Sequence, residues 1–233
     1  MGVKERRERE KSETRDKILD AARELFVTEG YEGVSMRRVA DKIEYSPTAI
    51  YVHFTDKEEL FRELCRRDFA RLAEVFQSSV TTADPVERLR QIAGIYFEFG
   101  IRYPNHYKFM FMTPDPGHEL DKLDREMQGN PEKDAYAYLM WAVQQAVHAG
   151  CFREGIDDAE LISQTLWASV HGVISLQIAK GRDAWVEWRP IQDRAATMID
   201  ATLRGLLRDR SAEEKSPLPA PASKKAAPKK EKK

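Results

Sequence analysis

The residues whose types and spacing could do chemistry lie between positions 31 and 60. Ile50 and Phe54 are separated by one helical turn and can anchor a short helix on a core. Thr48 and Tyr51 then point away from that core. Hydroxyl and aromatic groups on a short exposed helix suit the base edges, sugars and phosphates of a DNA groove. The segment therefore predicts a DNA-reading surface; the alternative is a piece of a helical bundle in which these side chains have no special role.

Helix start signals divide this segment into short helices. Ser35 can cap one helix, and Ser46 can cap the next, with Pro47 at its first helical position, where the missing N–H is not needed. A third start is predicted as a capping box from Thr55 to Glu58. Caps this close together require sharp turns, which is the arrangement of a helix-turn-helix.

The strings Tyr51-Val52-His53-Phe54 and Lys57-Glu58-Glu59-Leu60 closely resemble the DNA-binding domain of the tetracycline-repressor (TetR) family. The preceding predicted helix, from Thr14 to Gly30, also agrees with the family's first helix and ends at a glycine that can stop it. Glu44 is a departure, because the family usually has glycine at that turn. A left-handed backbone there would cost a non-glycine residue about 1 kcal/mol.

The resemblance implies a role for each residue at the DNA. Arg37 is placed to reach a guanine edge, Pro47 and Thr48 favour thymine methyl groups, and Tyr51 faces the groove floor. His53 and Lys57 look like phosphate anchors, although packing against the third helix is an equal alternative for His53. The residues expected at the DNA are Arg15, Arg37, Ser46, Pro47, Thr48, Tyr51, Val52, His53 and Lys57.

Charge is concentrated at the two ends of the chain. Residues 1–13 mix Lys and Arg with Glu and are predicted to be a flexible arm. Residues 210–233 are rich in Lys, Pro and Ala, and we expect them to be disordered. This tail could add nonspecific affinity for DNA or serve only as a solubilising segment. The formal net charge of −1 is therefore uninformative about DNA binding, which responds to the local field.

The composition of the 233 residues sets outer limits. A hydrophobic content of 42% is ample for a core. Cys65 and Cys151 are too few for a disulfide framework, and no run of residues is apolar enough for a membrane span. We therefore expect a cytoplasmic protein without a membrane partner.

Periodic apolar residues predict an all-α fold, with an N-terminal three-helix helix-turn-helix domain over residues 14–60 and a C-terminal helical bundle over residues 61–209. Helices are predicted from Lys57 to Ser79, Pro85 to Pro104, Asn105 to Met112, Glu119 to Met127, Pro131 to Gly150, Asp157 to Gly181 and Pro190 to Arg208.

The middle helices carry more aromatic residues than a surface would. Most must be core, but polar groups share their faces, so a mostly apolar ligand pocket is plausible. The expected lining is Tyr96, Phe99, Tyr103, His106, Tyr107, Met110, Trp141, Gln144, Gln145, His148, Trp167 and His171.

The segment from Trp167 to Gly172 resembles the Trp-His-Gly signature of one TetR subgroup. The resemblance implies that the C-terminal domain binds a small molecule and dimerises through its last two long helices. For His171, packing within a helix interface, with a hydrogen bond across the dimer, is preferred to ligand binding. The histidines show no short metal-ligand spacing, and we expect neither a metal nor a cofactor.

No catalytic or nucleotide-binding motif is present in the sequence, so we do not expect an enzyme. By resemblance, the chain is expected to be a homodimeric, ligand-responsive transcriptional regulator. We expect a repressor that a mostly apolar small molecule releases from a palindromic double-stranded DNA operator. The alternatives are an activator, or a ligand-sensing helical protein whose N-terminal domain serves a protein partner.

Overall fold

The structure, a computed structural model, describes residues 2–114 and 122–209. Those residues form ten α-helices and no β-strand, so the all-α prediction is confirmed. The helices are α1 (Val3–Gly33), α2 (Met36–Lys42), α3 (Pro47–Tyr51), α4 (Lys57–Ser79), α5 (Pro85–Arg102), α6 (Pro104–Met112), α7 (Lys122–Met127), α8 (Ala135–His148), α9 (Ala159–Lys180) and α10 (Ile191–Leu206).

The first helix begins earlier than the sequence predicts. α1 starts at Val3, so the structure has a helical extension where a flexible arm is predicted over residues 1–13. The reason is local, because this stretch consists largely of good helix formers and its charges pair one turn apart. Arg6 lies 3.2 Å from Glu10, and Arg9 lies 3.7 Å from Glu13.

The first three helices enclose the predicted small core. Ile50 and Phe54 are almost fully buried, at 0% and 1% exposed, against the apolar face of α1 and α2. Gly30 breaks the helical backbone of α1 with φ 73°, as predicted for a helix-stopping glycine. Glu44, in the turn between α2 and α3, has φ 59° and is the one non-glycine residue with positive φ in the described ranges. The turn is therefore left-handed, and it keeps that shape at the expected cost of about 1 kcal/mol.

The helix caps agree with the sequence at two starts and differ at the third. Ser35 accepts from the Arg38 amide and Ser46 from the Ala49 amide, as predicted. At α4 the cap is Asp56 and not Thr55, because Asp56 Oδ1 accepts from the Glu59 amide at 2.7 Å. The N-cap is therefore shifted by one residue, and the carboxylate that reaches back is that of Glu59, which accepts from the Thr55 amide at 2.7 Å.

The remaining helices form a bundle that is continuous with the first unit through α4. α5, α8 and α9 pack against one another, α10 lies along α9, and α6 contacts both α1 and α5. Gly100 allows the close approach of α5 and α9, since a methyl group there would come within 2.6 Å of Ile174 Cγ2.

Some predicted boundaries move. α8 starts at Ala135, capped by Asp134, because residues 131–133 form a turn in place of the helix predicted from Pro131. The predicted start of a helix at Glu119 and the predicted disordered tail over residues 210–233 lie outside the described residues. No helix within the described ranges is long and apolar enough to cross a membrane.

The C-terminal end of α10 is tied to the loop after α8. Phe152 and Leu207 form an isolated antiparallel bridge. On either side of it, the Arg153 amide donates to the carbonyl of Leu206 at 3.1 Å, and the Arg208 amide donates to that of Cys151 at 2.9 Å. The end of the last helix is thus pinned to the bundle.

Candidate DNA-binding surface and effector cavity

The short helix α3 presents its polar and aromatic face to solvent. Its buried side chain, Ile50, fixes the rotation of the helix, and Tyr51 and Val52 are then 54% and 68% exposed. Ser46, Pro47 and Thr48 are also exposed at its N-terminal end. This is the arrangement in which a recognition helix offers its first residues to base edges.

Arg37 lies on α2 and is free to reach outward. Its side chain is 82% exposed, and its nearest acidic partner, Asp41, is at 4.0 Å. Such a pair contributes little at the surface, so the guanidinium can turn toward DNA at low cost.

Two residues predicted to contact DNA are half-buried and bond to other parts of the protein. Arg15 donates from Nη1 to the carbonyl of His53 at 2.7 Å and lies over the Phe54 ring at 4.1 Å. Lys57 donates from Nζ to the carbonyl of Tyr31 at 3.0 Å and lies over the Tyr31 ring at 4.0 Å. Both side chains tie helices together in this structure, so the structure favours a positioning role for them over a phosphate contact.

His53 sits at the edge of the small core. It is half-buried, and its Nδ1 atom has no hydrogen-bond partner. Burial, and then the nearby positive charges of Lys11 and Arg15, lower the pKa of His53. A neutral imidazole at neutral pH follows, so any phosphate contact would be an N–H donation and not an ion pair.

A mostly apolar cavity of about 80 Å³ lies inside the C-terminal bundle, between α4, α5, α6, α8 and α9. No charged side chain lines it. The lining is Phe69, Leu72, Phe76, Leu89, Ile92, Ala93, Tyr96, Phe111, Ala135, Tyr136, Leu139, Leu166, Trp167 and Val170.

A chain of neutral hydrogen bonds runs from this cavity into the bundle. Trp167 Nε1 donates to the Tyr96 hydroxyl at 2.9 Å, and Tyr96 donates to the Tyr107 hydroxyl at 3.1 Å. Tyr107 lies 2.5 Å from His171 Nδ1, and we assign it as the donor, because the Tyr96 proton already occupies its acceptor side. We call these four residues the tyrosine cluster.

Burial keeps the members of the tyrosine cluster uncharged. It raises the pKa of Tyr96 to about 12 and raises that of Tyr107 further, helped by the neighbouring Tyr96. Burial also lowers the pKa of His171, which agrees with a neutral ring that accepts from Tyr107. Packing of His171 within a helix interface therefore has structural support, but its partner is Tyr107 of the same chain and not a residue across a dimer.

Most of the predicted pocket residues lie elsewhere. Tyr96 and Trp167 line the cavity, and Tyr107 and His171 stand behind them. The predicted residues that do not line it are Phe99, Tyr103, His106, Met110, Trp141, Gln144, Gln145 and His148.

The discrepancy on α8 has a simple cause. Ala135 and Leu139 face the cavity, whereas Gln144, Gln145 and His148 fall on the opposite, exposed side of the same helix. Gln144, Gln145 and His148 were expected to face inward because they share the helix with aromatic residues, but the helical period places them on the exposed side. The apolar positions of α4 and α5 were the signal that could have located the cavity.

A charged cluster that the sequence did not indicate lies where α1, α4 and α6 meet. Arg23 donates to Asp68 through two bonds of 2.9 and 2.8 Å, and the two residues are only 7% and 4% exposed. Arg23 also reaches Asp20 at 2.7 Å, and His106 Nδ1 lies 3.4 Å from Asp68. We call these four residues the arginine junction.

Helix α6 touches both functional regions. Phe111, near its end, lines the cavity and lies 5.9 Å, centroid to centroid, from the Trp167 ring. Phe109, two positions earlier, lies 5.9 Å from the Phe26 ring of α1 and 5.1 Å from the Phe61 ring of α4. We call α1, α2 and α3 the DNA-binding unit. One short helix, α6, therefore packs both against the cavity and against this unit.

The capped α2–turn–α3 pair and its exposed recognition face define a helix-turn-helix DNA-binding protein. The family described as "Bacterial regulatory proteins, tetR family" matches residues 18–64, and the description "Tetracyclin repressor-like, C-terminal domain" matches residues 89–202. The chain therefore belongs to the TetR family of regulators. Its membership in the Trp-His-Gly subgroup stays a prediction.

Individual relatives agree with this assignment. The repressor AcnR of Corynebacterium diphtheriae is 48% identical over 66 residues, which are 28% of this chain and only 35% of AcnR. The repressor KstR2 of Mycobacterium tuberculosis is 27% identical over 165 residues, covering 67% of this chain and 79% of KstR2. The structure of the regulator PfmR from Thermus thermophilus is similar with a TM-score of 0.62 at 25% identity, over 83% of this chain and 97% of PfmR.

Proposed function

We propose that the protein is a ligand-responsive transcriptional repressor that binds a near-palindromic DNA operator as a homodimer in the cytoplasm. In this proposal Arg37, Thr48 and Tyr51 read the DNA, and a small molecule in the cavity favours a form whose recognition helices no longer fit. A full reversal from bound to released requires a preference of about 5.5 kcal/mol for the released form.

The observation that carries the proposal is the position of α6. Because Phe111 lines the cavity and Phe109 packs on Phe26 and Phe61, a molecule that displaces α6 must also displace α1 and α4. AcnR and KstR2 are named as repressors, which favours repression over activation for this chain.

The cavity indicates the chemistry of the effector. Its lining has no charged group, and the Tyr96 hydroxyl is already bonded to Trp167 and Tyr107, so the site suits an uncharged, mostly apolar molecule. Ligand sites usually measure about 300–1,000 Å³. A bulky effector must therefore part the helices around the cavity, and Phe111 is the wall that transmits this movement to α6.

The dimer surface is proposed on the outward faces of the last two helices. On α9 the exposed residues are small side chains flanked by two leucines, and on α10 they are small side chains, so two copies could pack closely. They are Leu161, Thr165, Ala168, Gly172 and Leu176 on α9 and Thr197, Ala201 and Gly205 on α10.

DNA binding can be tested with a duplex that the wild-type protein selects from random DNA. We expect Arg37→Ala and Tyr51→Ala each to weaken binding to that duplex about 5- to 150-fold, the range of a lost base contact. Arg189→Ala is the matched control, since Arg189 is 73% exposed and lies between α9 and α10. Fluorescence anisotropy measures all three. If the wild-type protein selects no sequence, or binds equally well without Arg37 and Tyr51, the proposal is wrong.

Dimerisation can be tested at Gly172. A methyl group there would meet no atom within 4 Å, so Gly172→Leu has room in the single chain and favours the helix, yet it should block close approach of a second copy. We expect a monomer by light scattering. Gly94→Leu on α5, where the space is equally open, should leave the dimer intact. A dimer of unchanged affinity in the Gly172→Leu variant would place the interface elsewhere.

A further inference from the structure

The N-terminal extension of α1 stands clear of the rest of the protein. Residues 4–13 are all exposed, and burial of this helix begins only near Thr14 and Arg15. At the rise of an α-helix, Lys4 lies about 16 Å along the axis from Arg15. This length is helical without packing on a core, so its side chains are available for another partner.

The charges of the extension are arranged unequally around the helix. On one side Arg6 and Arg9 form ion pairs with Glu10 and Glu13. Lys4, Arg7 and Lys11 are spaced by three and four residues and therefore share the other face. None of these three forms an ion pair with any residue that the structure describes, although Glu8 stands on the same face. We call Lys4, Arg7 and Lys11 the basic stripe.

The face that carries the basic stripe continues into the DNA-binding unit. Further along it come Arg15, which bonds to the carbonyl of His53, and Ile18 and Ala22, which are fully buried. The basic stripe therefore continues this face of α1 toward the N-terminus, beyond the last buried residues. It begins beside the C-terminal end of the recognition helix α3, where Arg15 bonds to His53. The influence of the Lys11 charge on the His53 ring agrees with this position.

We propose that the basic stripe binds the phosphate backbone of DNA that flanks the bases read by α3. Lys and Arg side chains without acidic partners are the groups that neutralise phosphates, and such contacts add affinity without base specificity. Glu8 lowers the charge of this face but leaves it positive. The inference rests on the proposed DNA-binding function. It assigns the phosphate contact to residues nearer the N-terminus of α1 in place of Arg15, which bonds within the protein.

The test compares two variants of the full chain that lose the same charge. One carries Lys4→Gln, Arg7→Gln and Lys11→Gln; the other carries Arg6→Gln, Arg9→Gln and Lys17→Gln, whose residues lie on the opposite face. Gln is a good helix former, and circular dichroism checks that α1 is retained. Each variant is titrated at several salt concentrations with the selected duplex in two lengths. One length ends at the outer edge of the half-sites, and the other continues about one helical turn beyond them.

On the long duplex we expect the basic-stripe variant to bind at least tenfold more weakly at about 0.1 M salt. The slope of log K against log salt should fall by about 0.9 for each lost phosphate contact, and so by about 2 to 5 for a dimer. The opposite-face variant should match the wild type, and on the short duplex all three proteins should bind alike. Equal slopes for the wild-type protein and the basic-stripe variant on the long duplex would overturn the inference, and so would an equal loss in the opposite-face variant.

These outcomes are separate from failure of the proposed function. If the wild-type protein selects no sequence, sequence-specific regulation is wrong. The salt slopes on any long duplex still decide whether the basic stripe binds phosphates.

Discussion

Helix α6 carries two adjacent residues, His106 and Tyr107, that belong to two different kinds of side-chain cluster. His106 faces the arginine junction, in which Arg23 and Asp68 form a two-bond ion pair. Tyr107 belongs to the tyrosine cluster, in which every hydrogen bond joins neutral groups. Removing one partner of a buried ion pair costs several kcal/mol, whereas a neutral hydrogen bond contributes about 1 kcal/mol.

This difference shows how one short helix can be fixed on one side and adjustable on the other. The Arg23–Asp68 pair ties α1 to α4, which carry and support the DNA-binding unit. Helix α6 joins them through His106, whose Nδ1 lies 3.4 Å from Asp68, and through Phe109, which packs on Phe26 and Phe61. The tyrosine cluster can exchange partners at lower cost when a molecule enters the cavity. We therefore expect α6 to stay with the DNA-binding unit when it moves and to separate from the helices around the cavity. We do not expect it to stay with the cavity and separate from the DNA-binding unit.

The largest effect should come from breaking the arginine junction. We expect Asp68→Asn to lower the free energy of unfolding by about 3 kcal/mol or more, because it leaves the buried Arg23 without its main partner. Denaturant unfolding measures the change. Asp16→Asn is the control, since the Asp16–Arg67 pair is largely exposed and should contribute less than about 1 kcal/mol. If both variants lose a similar free energy of unfolding, burial does not make the Arg23–Asp68 pair stronger than the exposed Asp16–Arg67 pair.

A smaller effect is expected from the tyrosine cluster. Tyr107→Phe leaves the Tyr96 proton without an acceptor and His171 Nδ1 without a donor, so the free energy of unfolding should fall by about 1–2 kcal/mol. The control is Tyr138→Phe, because Tyr138 is also a buried tyrosine, at 8% exposed, and its hydroxyl bonds to no described residue. If Tyr107→Phe costs as much as Asp68→Asn, the two sides of α6 do not differ as we infer.

The smallest effect should be the response to pH. The pKa of His171 is lowered in the folded protein, so its contribution to stability is present above the unfolded value of about 6.5 and is lost as the pH falls through the folded value. We expect the melting temperature to fall between about pH 7.5 and about pH 5.5, and to fall less in His171→Gln, which keeps an acceptor for Tyr107. The His53→Gln variant measures how much of the fall in melting temperature is due to His53, whose pKa is lowered as well. An identical pH response in the wild-type protein and both variants would show that neither ring is the source.

The DNA-binding unit could be predicted in detail because its determinants are local. Ser35, Ser46 and Pro47 mark helix starts within a few residues of the positions they fix. The alternation of Ile50 and Phe54 with outward residues then fixes the exposed face. The left-handed backbone at Glu44 is different, because glutamate itself disfavours it, and only the family's usual glycine at that turn pointed to it.

The cavity and the clusters depend on contacts between distant segments. Arg23 and Asp68 lie on different helices, and nothing near either residue indicates the other. On α8 the aromatic residues suggested an inward polar face, but the rotation of a helix is set by its neighbours, and Gln144 and His148 turned outward. The sequence could therefore predict that a pocket exists among these helices, but not which side chains line it.

The bridge between Phe152 and Leu207 has a consequence for the association of two copies. Helix ends usually fray, and ordering them on association costs conformational entropy. The last turn of α10 is already tied by the amides of Arg153 and Arg208, so it is preorganised before a second copy arrives. In the dimer proposed here, little flexibility remains to be lost at this end of the interface, and hydrogen exchange of the Arg208 amide should be slow in the monomer as well.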